Sequence, residues 1–332
     1  MILPDSSLHD STVFLTGGTG FVGSHLAERL LSVGCREVRC LVRTDEKWLS
    51  GLNVKVVRGT LADSAVLEAA MKDVTHVFHV AALTRARDWN DFYEANVLGT
   101  DRLIRLARKS STLKRIVLTS SLAAIGEAPG AVANESTPFN PVSQYGRSKA
   151  EMEQIAARHD FPITILRPPA VYGPRETDIF TFFKTLSSGL CPVVGSAKTT
   201  ALSLVHVDDL VTGMIQAAFH PEAEGKTFFL GGEQDYSWGE IRDAAKTALN
   251  RNVLTLPIPP ALVPAIGNVA ETIGNIFGFY PPLNKEKARE IVRATLRCDS
   301  SLAQSTFGYA PEKDLGTGIT ETISWYRERK WL

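Results

Sequence analysis

The chain has 332 residues, of which 44% are hydrophobic and 22% are charged, as in an ordinary globular protein. Its 36 basic residues equal its 36 acidic residues, so the sequence lacks the excess of positive charge that nucleic-acid binding usually needs, and we exclude that class. The cysteines, Cys35, Cys40, Cys191 and Cys298, have neither metal-like nor disulfide-like spacing, which predicts free thiols in a reducing compartment.

The amino-terminal residues do not have the pattern of a secretion signal. Asp5 precedes any apolar core of signal-peptide length, and no later window holds an uninterrupted apolar run of membrane-spanning length. We therefore expect a cytoplasmic protein without an integral membrane segment. His76 and His79 have metal-like separation, but they lie in a predicted strand that would point them to opposite faces, so we expect buried or edge histidines and no metal site.

Short apolar runs alternate with longer amphipathic runs in the first half of the chain. Strands are predicted over residues 11–17, 37–42, 53–59, 75–82, 114–121 and 161–168. Helices are predicted after the first strand, from a cap at Asp63 or Ser64 through Met71, and over residues 90–109. This alternation predicts an α/β fold in which a doubly wound parallel sheet is covered by helices on both faces.

A glycine-rich turn joins the first predicted strand to the helix that follows. Gly17, Gly20 and Gly23 stand in FLTGGTGFVG, in the context that separates a dinucleotide site from a chance cluster of glycines. The first glycine permits the tight turn, the second allows the backbone to approach a pyrophosphate, and the third allows close helix packing. The free N–H groups at the helix start would bind the anion.

The residue at the end of the second predicted strand indicates which dinucleotide binds. An NAD site would usually carry an acid there for the ribose hydroxyls, whereas this chain has Arg43. A guanidinium can pair with a 2′-phosphate, so we predict NADP in preference to NAD.

After Arg167 the regular alternation ends and proline and glycine become frequent. We predict a dinucleotide-binding domain over residues 1–172 and a smaller substrate-binding region over 173–332, with segments that cross back to the first domain. Residues 256–283 are apolar but too interrupted to span a bilayer. A packing helix is favoured there over an apolar lid or a peripheral membrane-docking surface.

Polar side chains follow the fifth predicted strand, where ligands bind in α/β sheets. Ser120 and Ser121 end that strand, and Tyr145 and Lys149 are one helical turn apart in QYGRSK. A strand-end hydroxyl, a phenol and an ammonium could converge over a nicotinamide ring.

Taken in order, the motifs TGGTGFVG, TSS, YGRSK, NVLGT, RPPAVYGPR and HVDDL resemble the extended short-chain dehydrogenase/reductase superfamily, also called the NAD-dependent epimerase/dehydratase family, over nearly the whole chain. The resemblance implies a Rossmann-type sheet with a smaller, interleaved carboxyl-terminal α/β substrate domain. It implies Tyr145 as the catalytic acid/base, Ser121 rather than Ser120 as the hydrogen bond to the reacting oxygen, and Lys149 as the group that holds the nicotinamide ribose and favours the phenolate.

The same resemblance implies further cofactor contacts around the strand ends. Where many relatives have an aspartate that meets the adenine, in a Gly-Asp-Leu segment, this chain has Thr60, although Asp63 follows nearby. The implied contacts are made at the pyrophosphate by Phe21 and Val22, near the adenine by Leu61, beside the ribose by Ala81 and Ala82, and toward the nicotinamide by Asn96 and the backbone near Pro169.

Departures from the family's patterns bear on the substrate. Leu122 and Ala123 replace the acid/base pair of sugar-nucleotide dehydratases, so 4,6-dehydration is not expected. Leu202 replaces the arginine that clamps the diphosphate in sugar-nucleotide epimerases, and Arg297 is a candidate to compensate for its loss. Arg43 and the apolar segment look more like the branch of 3β-hydroxysteroid dehydrogenases and dihydroflavonol reductases.

The resulting prediction is an NADP-dependent alcohol dehydrogenase or ketone reductase that acts on a bulky, largely apolar small molecule. A nucleotide-sugar 4-epimerase is the alternative, and a non-catalytic NADP-binding sensor or structural protein is the second alternative. A homodimer is expected, formed through the predicted helices over residues 90–109 and 141–158, since relatives often pair through two such helices.

Overall fold

A computed structural model describes residues 8–86, 88–195, 201–277 and 284–332, with the side chains of 273–277 outside that description. Its central sheet has seven strands, all parallel, in the spatial order β10-β6-β5-β4-β1-β2-β3. These strands are β1 Thr12–Thr16, β2 Glu37–Val42, β3 Lys55–Arg58, β4 His76–His79, β5 Arg115–Thr119, β6 Ile163–Arg167 and β10 Thr227–Phe229. The strand order reverses between β1 and β4, so the carboxyl ends of these two strands form the crevice in which such sheets bind ligands.

Helices cover both faces of the sheet. Along β1, Val13 and Leu15 pack into one buried cluster with helices α1 and α7, whereas Phe14 packs into a second cluster with α2, α4 and α5. This alternation follows from the period of two in a strand. The helices are α1 Phe21–Ser32, α2 Ser64–Ala70, α3 Trp89–Phe92, α4 Gly99–Ala107, α5 Gln144–Ala156, α6 Asp178–Ser187, α7 Val207–Phe219, α8 Trp238–Leu249, α9 Val263–Phe277, α10 Lys285–Arg293, α11 Ser301–Phe307 and α12 Leu315–Glu328.

The predicted doubly wound α/β architecture is thus confirmed, with two local differences. The single helix expected over residues 90–109 is instead α3, a π-helical segment over Tyr93–Leu98, and α4. Asp63 does lie at the N-cap of α2, but its carboxylate accepts hydrogen bonds from the backbone N–H and the hydroxyl of Thr60, at 2.6 and 2.7 Å, and not from the helix.

Smaller sheets follow the sixth strand. One has the order β11-β9-β7, and the other pairs β12 with β8. Their strands are β7 Ala170–Tyr172, β8 Leu190–Val194, β9 Ala201–His206, β11 Asp235–Ser237 and β12 Leu254–Ile258. A separate buried cluster lies here and includes Phe183, Leu202 and Tyr326. Between β9 and β11 the chain returns to the central sheet as β10, beside β6, while the boundary at residue 172 remains a prediction.

The apolar segment from Leu256 to Leu283 contains part of β12 and all of α9, and its residues 278–283 lie outside the described residues. One side of α9 packs on α10 through Gly267, while Leu262, Ile266 and Val269 are exposed, so the favoured interpretation as a packing helix accounts for only part of the described segment. Among the residues that the structure describes, no helix is both long and apolar enough to cross a membrane.

His76 and His79 are both buried, as predicted. They lie on opposite faces of β4: His76 packs on Phe219 of α7, and His79 bonds Thr16 and Thr100 on the other side. Burial lowers the pKa of each imidazole to about 3, so both are neutral at physiological pH.

Candidate active site

The glycine turn brings backbone segments closer than other residues would allow. Gly17 has φ +77°, and a Cβ added to it would lie 2.6 Å from the backbone nitrogen of Ala81 at the end of β4. A Cβ on Gly23 would lie 2.1 Å from the Gly17 carbonyl oxygen. Only glycine fits either position, and the start of α1 therefore lies close to the ends of β1 and β4.

The first turn of α1 fits an anion. Gly20 is the N-cap and offers no side-chain hydrogen bond, and the first turn contains no acidic residue. The backbone N–H groups of Phe21, Val22 and Gly23 are therefore donors without a partner in the helix, as at any helix start. Such donors, together with the helix dipole, suit a phosphate, so these residues fit a dinucleotide pyrophosphate.

The carboxyl ends of β2 and β3 carry two neighbouring arginines. Arg43 is exposed and has no side-chain partner among the described residues. Arg58, which sequence reasoning missed, pairs in register with Val42, donates to the Thr44 carbonyl at 2.7 Å and forms an ion pair with Glu46. Of the two guanidinium groups, the one on Arg43 is available to a ligand.

The residues predicted to contact the adenine and the ribose follow β3 and β4. Leu61 follows β3 and packs on Gly99 at the start of α4, where an added Cβ would lie 3.1 Å from Leu61 Cδ1. Ala81 and Ala82 follow β4, and the Ala81 N–H donates to Thr16 Oγ1 at 3.2 Å. This bond fixes the segment against the end of β1.

The side-chain amide of Asn96, in the π-helical segment, is hydrogen-bonded to two other parts of the chain. Its Oδ1 accepts from the Leu83 N–H at 2.7 Å, and its Nδ2 donates to the Leu83 carbonyl and to Ser148 Oγ, both at 2.9 Å. Ser148 in turn donates to the Tyr145 carbonyl at 2.7 Å. Asn96 therefore ties the loop after β4 to α5, the helix that carries Tyr145.

The two serines at the end of β5 have different surroundings. Ser120 is buried, and its hydroxyl bonds Glu153. Ser121 is only partly buried; it is the N-cap of a 3-10 turn over Leu122–Ala124, and its Oγ accepts from the Ala123 N–H at 3.1 Å. Its hydroxyl also influences the Tyr145 phenol, whose pKa it lowers. The assignment of Ser121 to the reacting oxygen stays a prediction.

Tyr145 lies in the first turn of α5, which begins at the N-cap Ser143. Burial raises the pKa of Tyr145 to about 12, the carboxylates of Glu290 and Asp178 add to the increase, and Ser121 opposes it. Lys149 is expected to favour the phenolate. In the structure burial, the largest influence on the Tyr145 phenol, favours the neutral form, so the expected effect of Lys149 stays a prediction.

Lys149 is 2% exposed, and its ammonium donates to the Thr119 carbonyl at 2.6 Å. Burial lowers its pKa to about 8, and the Glu153 carboxylate one turn further along α5 opposes that shift. At neutral pH the ammonium form predominates. Lys149 thus places a positive charge beside the end of β5.

Glu153 and Arg167 form a buried ion pair that sequence reasoning missed. Arg167 Nε and Nη2 donate to the Glu153 carboxylate at 3.0 and 2.7 Å, and both residues are at most 5% exposed. An ion pair at this depth has no pattern in the sequence, since any arginine and glutamate could be solvated.

Pro169, just after β6, is buried, and the carbonyl of Pro168 accepts from Leu122 N–H at 2.9 Å.

Leu202 and Arg297 are the two residues that bear on the binding of a substrate diphosphate. Leu202 is buried in β9, where it pairs with Tyr236. Arg297 Nε donates to Asp235 at 2.6 Å, and the same carboxylate binds Ser203. Asp235 therefore already neutralises the arginine that could have replaced the missing clamp.

Comparison with known proteins matches residues 13–247 to the model of the NAD dependent epimerase/dehydratase family. A ceramide reductase of Caulobacter vibrioides is 28% identical over 323 residues, which cover 96% of each chain. A UDP-glucose 4-epimerase of Vibrio cholerae is 28% identical over 324 residues, or 94% of each chain. The structure of MoeE5 in complex with UDP-glucose and NAD shares the fold, with a TM-score of 0.77 at 24% identity, covering 96% of this chain and all of that one.

The family model matches well over half of the chain, and its region contains the glycine turn, Ser121, Tyr145 and Lys149. The resemblance inferred from the ordered motifs is therefore confirmed. This chain belongs to the NAD dependent epimerase/dehydratase family, within the extended short-chain dehydrogenase/reductase superfamily.

Proposed function

We propose that the protein is an NAD(P)-dependent alcohol dehydrogenase or ketone reductase that acts on a bulky, largely apolar secondary alcohol or ketone. The observation that carries the proposal is the close packing of the start of α5, which carries Tyr145 and Lys149, on the turn that follows Ser121: a Cβ added to Gly146 would lie 2.3 Å from the Ala123 carbonyl oxygen. A hydroxyl and a phenol at the carboxyl end of β5 can together bind one substrate oxygen.

Each residue of the site has a separate role in the proposed reaction. The turn at Gly17, Gly20 and Gly23 and the first N–H groups of α1 would hold the pyrophosphate, and the cofactor, when bound, would supply the acceptor or donor of hydride. Ser121 Oγ donates to the substrate oxygen. Tyr145 gives its proton to that oxygen in reduction and removes it in oxidation. Lys149 would hold the nicotinamide ribose, and its ammonium would oppose the burial that disfavours the phenolate.

The substrate class rests on the missing phosphate clamp and on exposed apolar side chains. Leu202 cannot bind a diphosphate, and Arg297 is already paired with Asp235. Ile266 and Val269 of α9 present apolar surface. The relative named a ceramide reductase supports this choice, while the relative named a UDP-glucose 4-epimerase keeps epimerisation as the alternative.

We expect the purified protein to oxidise NADPH in the presence of a bulky apolar ketone and to leave UDP unbound. The test pairs a spectrophotometric panel of sterol, flavonoid and long-chain ketones with calorimetric titration of the NADPH-loaded protein by UDP and dTDP. Micromolar nucleotide binding, about 8 kcal/mol, would favour the epimerase. NADPH binding without turnover of any panel member would favour the non-catalytic sensor.

A second expectation concerns the cofactor. We expect tighter binding of NADPH than of NADH, because the unpaired Arg43 can take a 2′-phosphate. Arg43→Gln should weaken NADPH binding relative to NADH binding by about tenfold or more, because a charge-assisted hydrogen bond is lost. Arg108→Gln at the exposed end of α4 is the matched control, and equal losses in both variants, or tighter NADH binding by the wild type, would reject the assignment.

We also propose a homodimer in the cytoplasm, with the helices over residues 89–107 and 144–156 in contact between copies. Sedimentation equilibrium measures the mass directly, and a monomer at micromolar concentration would contradict the pairing.

A further inference from the structure

Helix α10 lies against the start of α5, the helix that carries Tyr145. Glu286 and Glu290 are one turn apart on α10, so they share a face. Glu286 Oε1 accepts from the Gln144 N–H at 3.0 Å, and Glu290 bonds Ser143 Oγ. Two carboxylates from a segment more than 140 residues away thus bind the two residues that immediately precede Tyr145.

These contacts are built into the cap of α5. The Ser143 hydroxyl accepts from the Gly146 N–H at 3.1 Å and donates to Glu290, so a single hydroxyl joins the carboxylate to the first turn. Gln144 N–H is one of the helix-start donors that otherwise need a partner. Negative charge at this end also suits the helix dipole.

The same helix is also tied to the loop that follows Ser121. Arg293 at the end of α10 forms an ion pair with Glu127, and the Thr295 N–H donates to the Gly126 carbonyl at 2.7 Å. Thr295 Oγ1 accepts from the Ala128 N–H at 2.9 Å. Helix α10 therefore bridges the segments that carry Ser121 and Tyr145.

Helix α9 packs closely on α10 and presents apolar side chains to solvent. A Cβ added to Gly267 would lie 2.8 Å from Ala288 Cβ, and Glu271 accepts from the Lys285 N–H at 2.9 Å. Ile266 and Val269 are exposed on α9. A movement of α9 would therefore be passed to Glu286 and Glu290.

We propose that Glu290 and Glu286 are positioning residues that couple the α9–α10 pair to the start of α5, so that the placement of this pair sets the orientation of Tyr145. The inference rests on the proposed acid/base role of Tyr145. The charged groups that face Glu290 include Lys287, at 3.1 Å, and Glu286, both on its own helix. Glu290 and Asp178 both act on the Tyr145 phenol of α5.

The test compares Glu290→Gln, Glu290→Ala and Glu286→Ala, with NADP+ as the hydride acceptor for the pH profile. Glutamine keeps an acceptor for Ser143 and removes the charge that raises the pKa of Tyr145. We therefore expect Glu290→Gln to shift the rising limb of the pH profile for alcohol oxidation toward lower pH, because the phenolate forms more readily. Glu290→Ala should in addition speed amide hydrogen exchange at Gly146, and Glu286→Ala that at Gln144, each by about tenfold.

Glu290→Asp should retain the wild-type position of the limb. Glu151→Gln removes a carboxylate from the exposed side of α5 and is the matched control, with neither readout changed. Unchanged pH profile and exchange in all Glu286 and Glu290 variants would overturn the inference while leaving the proposed reaction intact. If the wild type turns over no substrate, the proposed function fails, and the exchange rates still decide whether α10 holds the start of α5.

Discussion

Replacing Tyr145 with phenylalanine is expected to lower turnover of any alcohol or ketone substrate by about 10²- to 10⁴-fold, the usual contribution of a positioned acid/base. The ring would keep its contact with Phe92, at 6.5 Å between centroids. The change removes only the hydroxyl, so the affinity for NADPH should stay within about twofold.

The hydroxyl of Tyr93, in the π-helical segment, provides the matched control. Tyr93 packs against Trp89, and its change to phenylalanine leaves Ser121 and Lys149 untouched. The comparison needs kcat, KM and the dissociation constant of NADPH for both variants. Activity that survives Tyr145→Phe within about tenfold would assign the proton transfer to another group.

Replacing Glu153 with alanine is expected to destabilise the protein by about 3–5 kcal/mol, because Arg167 would remain buried without its counter-charge. Arg167 is 5% exposed and donates two hydrogen bonds to Glu153. Because the Glu153 carboxylate also supports the charge on Lys149, its loss should lower the pKa of that ammonium further. Urea unfolding measures the free energy, and the alkaline limb of activity reports the lysine.

Glu151 offers a control two residues earlier on the same helix. It pairs with Arg147 at 2.8 Å on the exposed side, and its change to alanine should cost less than about 1 kcal/mol. A double variant, Glu153→Leu with Arg167→Met, should regain much of the lost stability, since buried ion pairs can be replaced by packed apolar groups. Equal losses in the Glu151 and Glu153 variants would show that the ion pair is dispensable.

The sequence by itself determined the fold class, the family and the positions of the candidate catalytic residues. Strand and helix periods are local, so the six first strands could be placed from their residues. Gly17 and Gly23 could be assigned because the close approach of two backbones excludes any other residue. Tyr145 and Lys149 could be assigned because the ordered motifs around them resemble those of the family, whereas their spacing alone is that of any two residues one helical turn apart.

Only the tertiary structure decided which polar groups meet across long stretches of chain. The bonds from Ser143 to Glu290 and from Gln144 to Glu286 join residues 147 and 142 positions apart. The burial of Glu153 with Arg167, and the pairing of Arg297 with Asp235, likewise arise from packing between elements. Such contacts leave no periodic pattern, because a charged side chain has the same sequence signature whether it is solvated or buried.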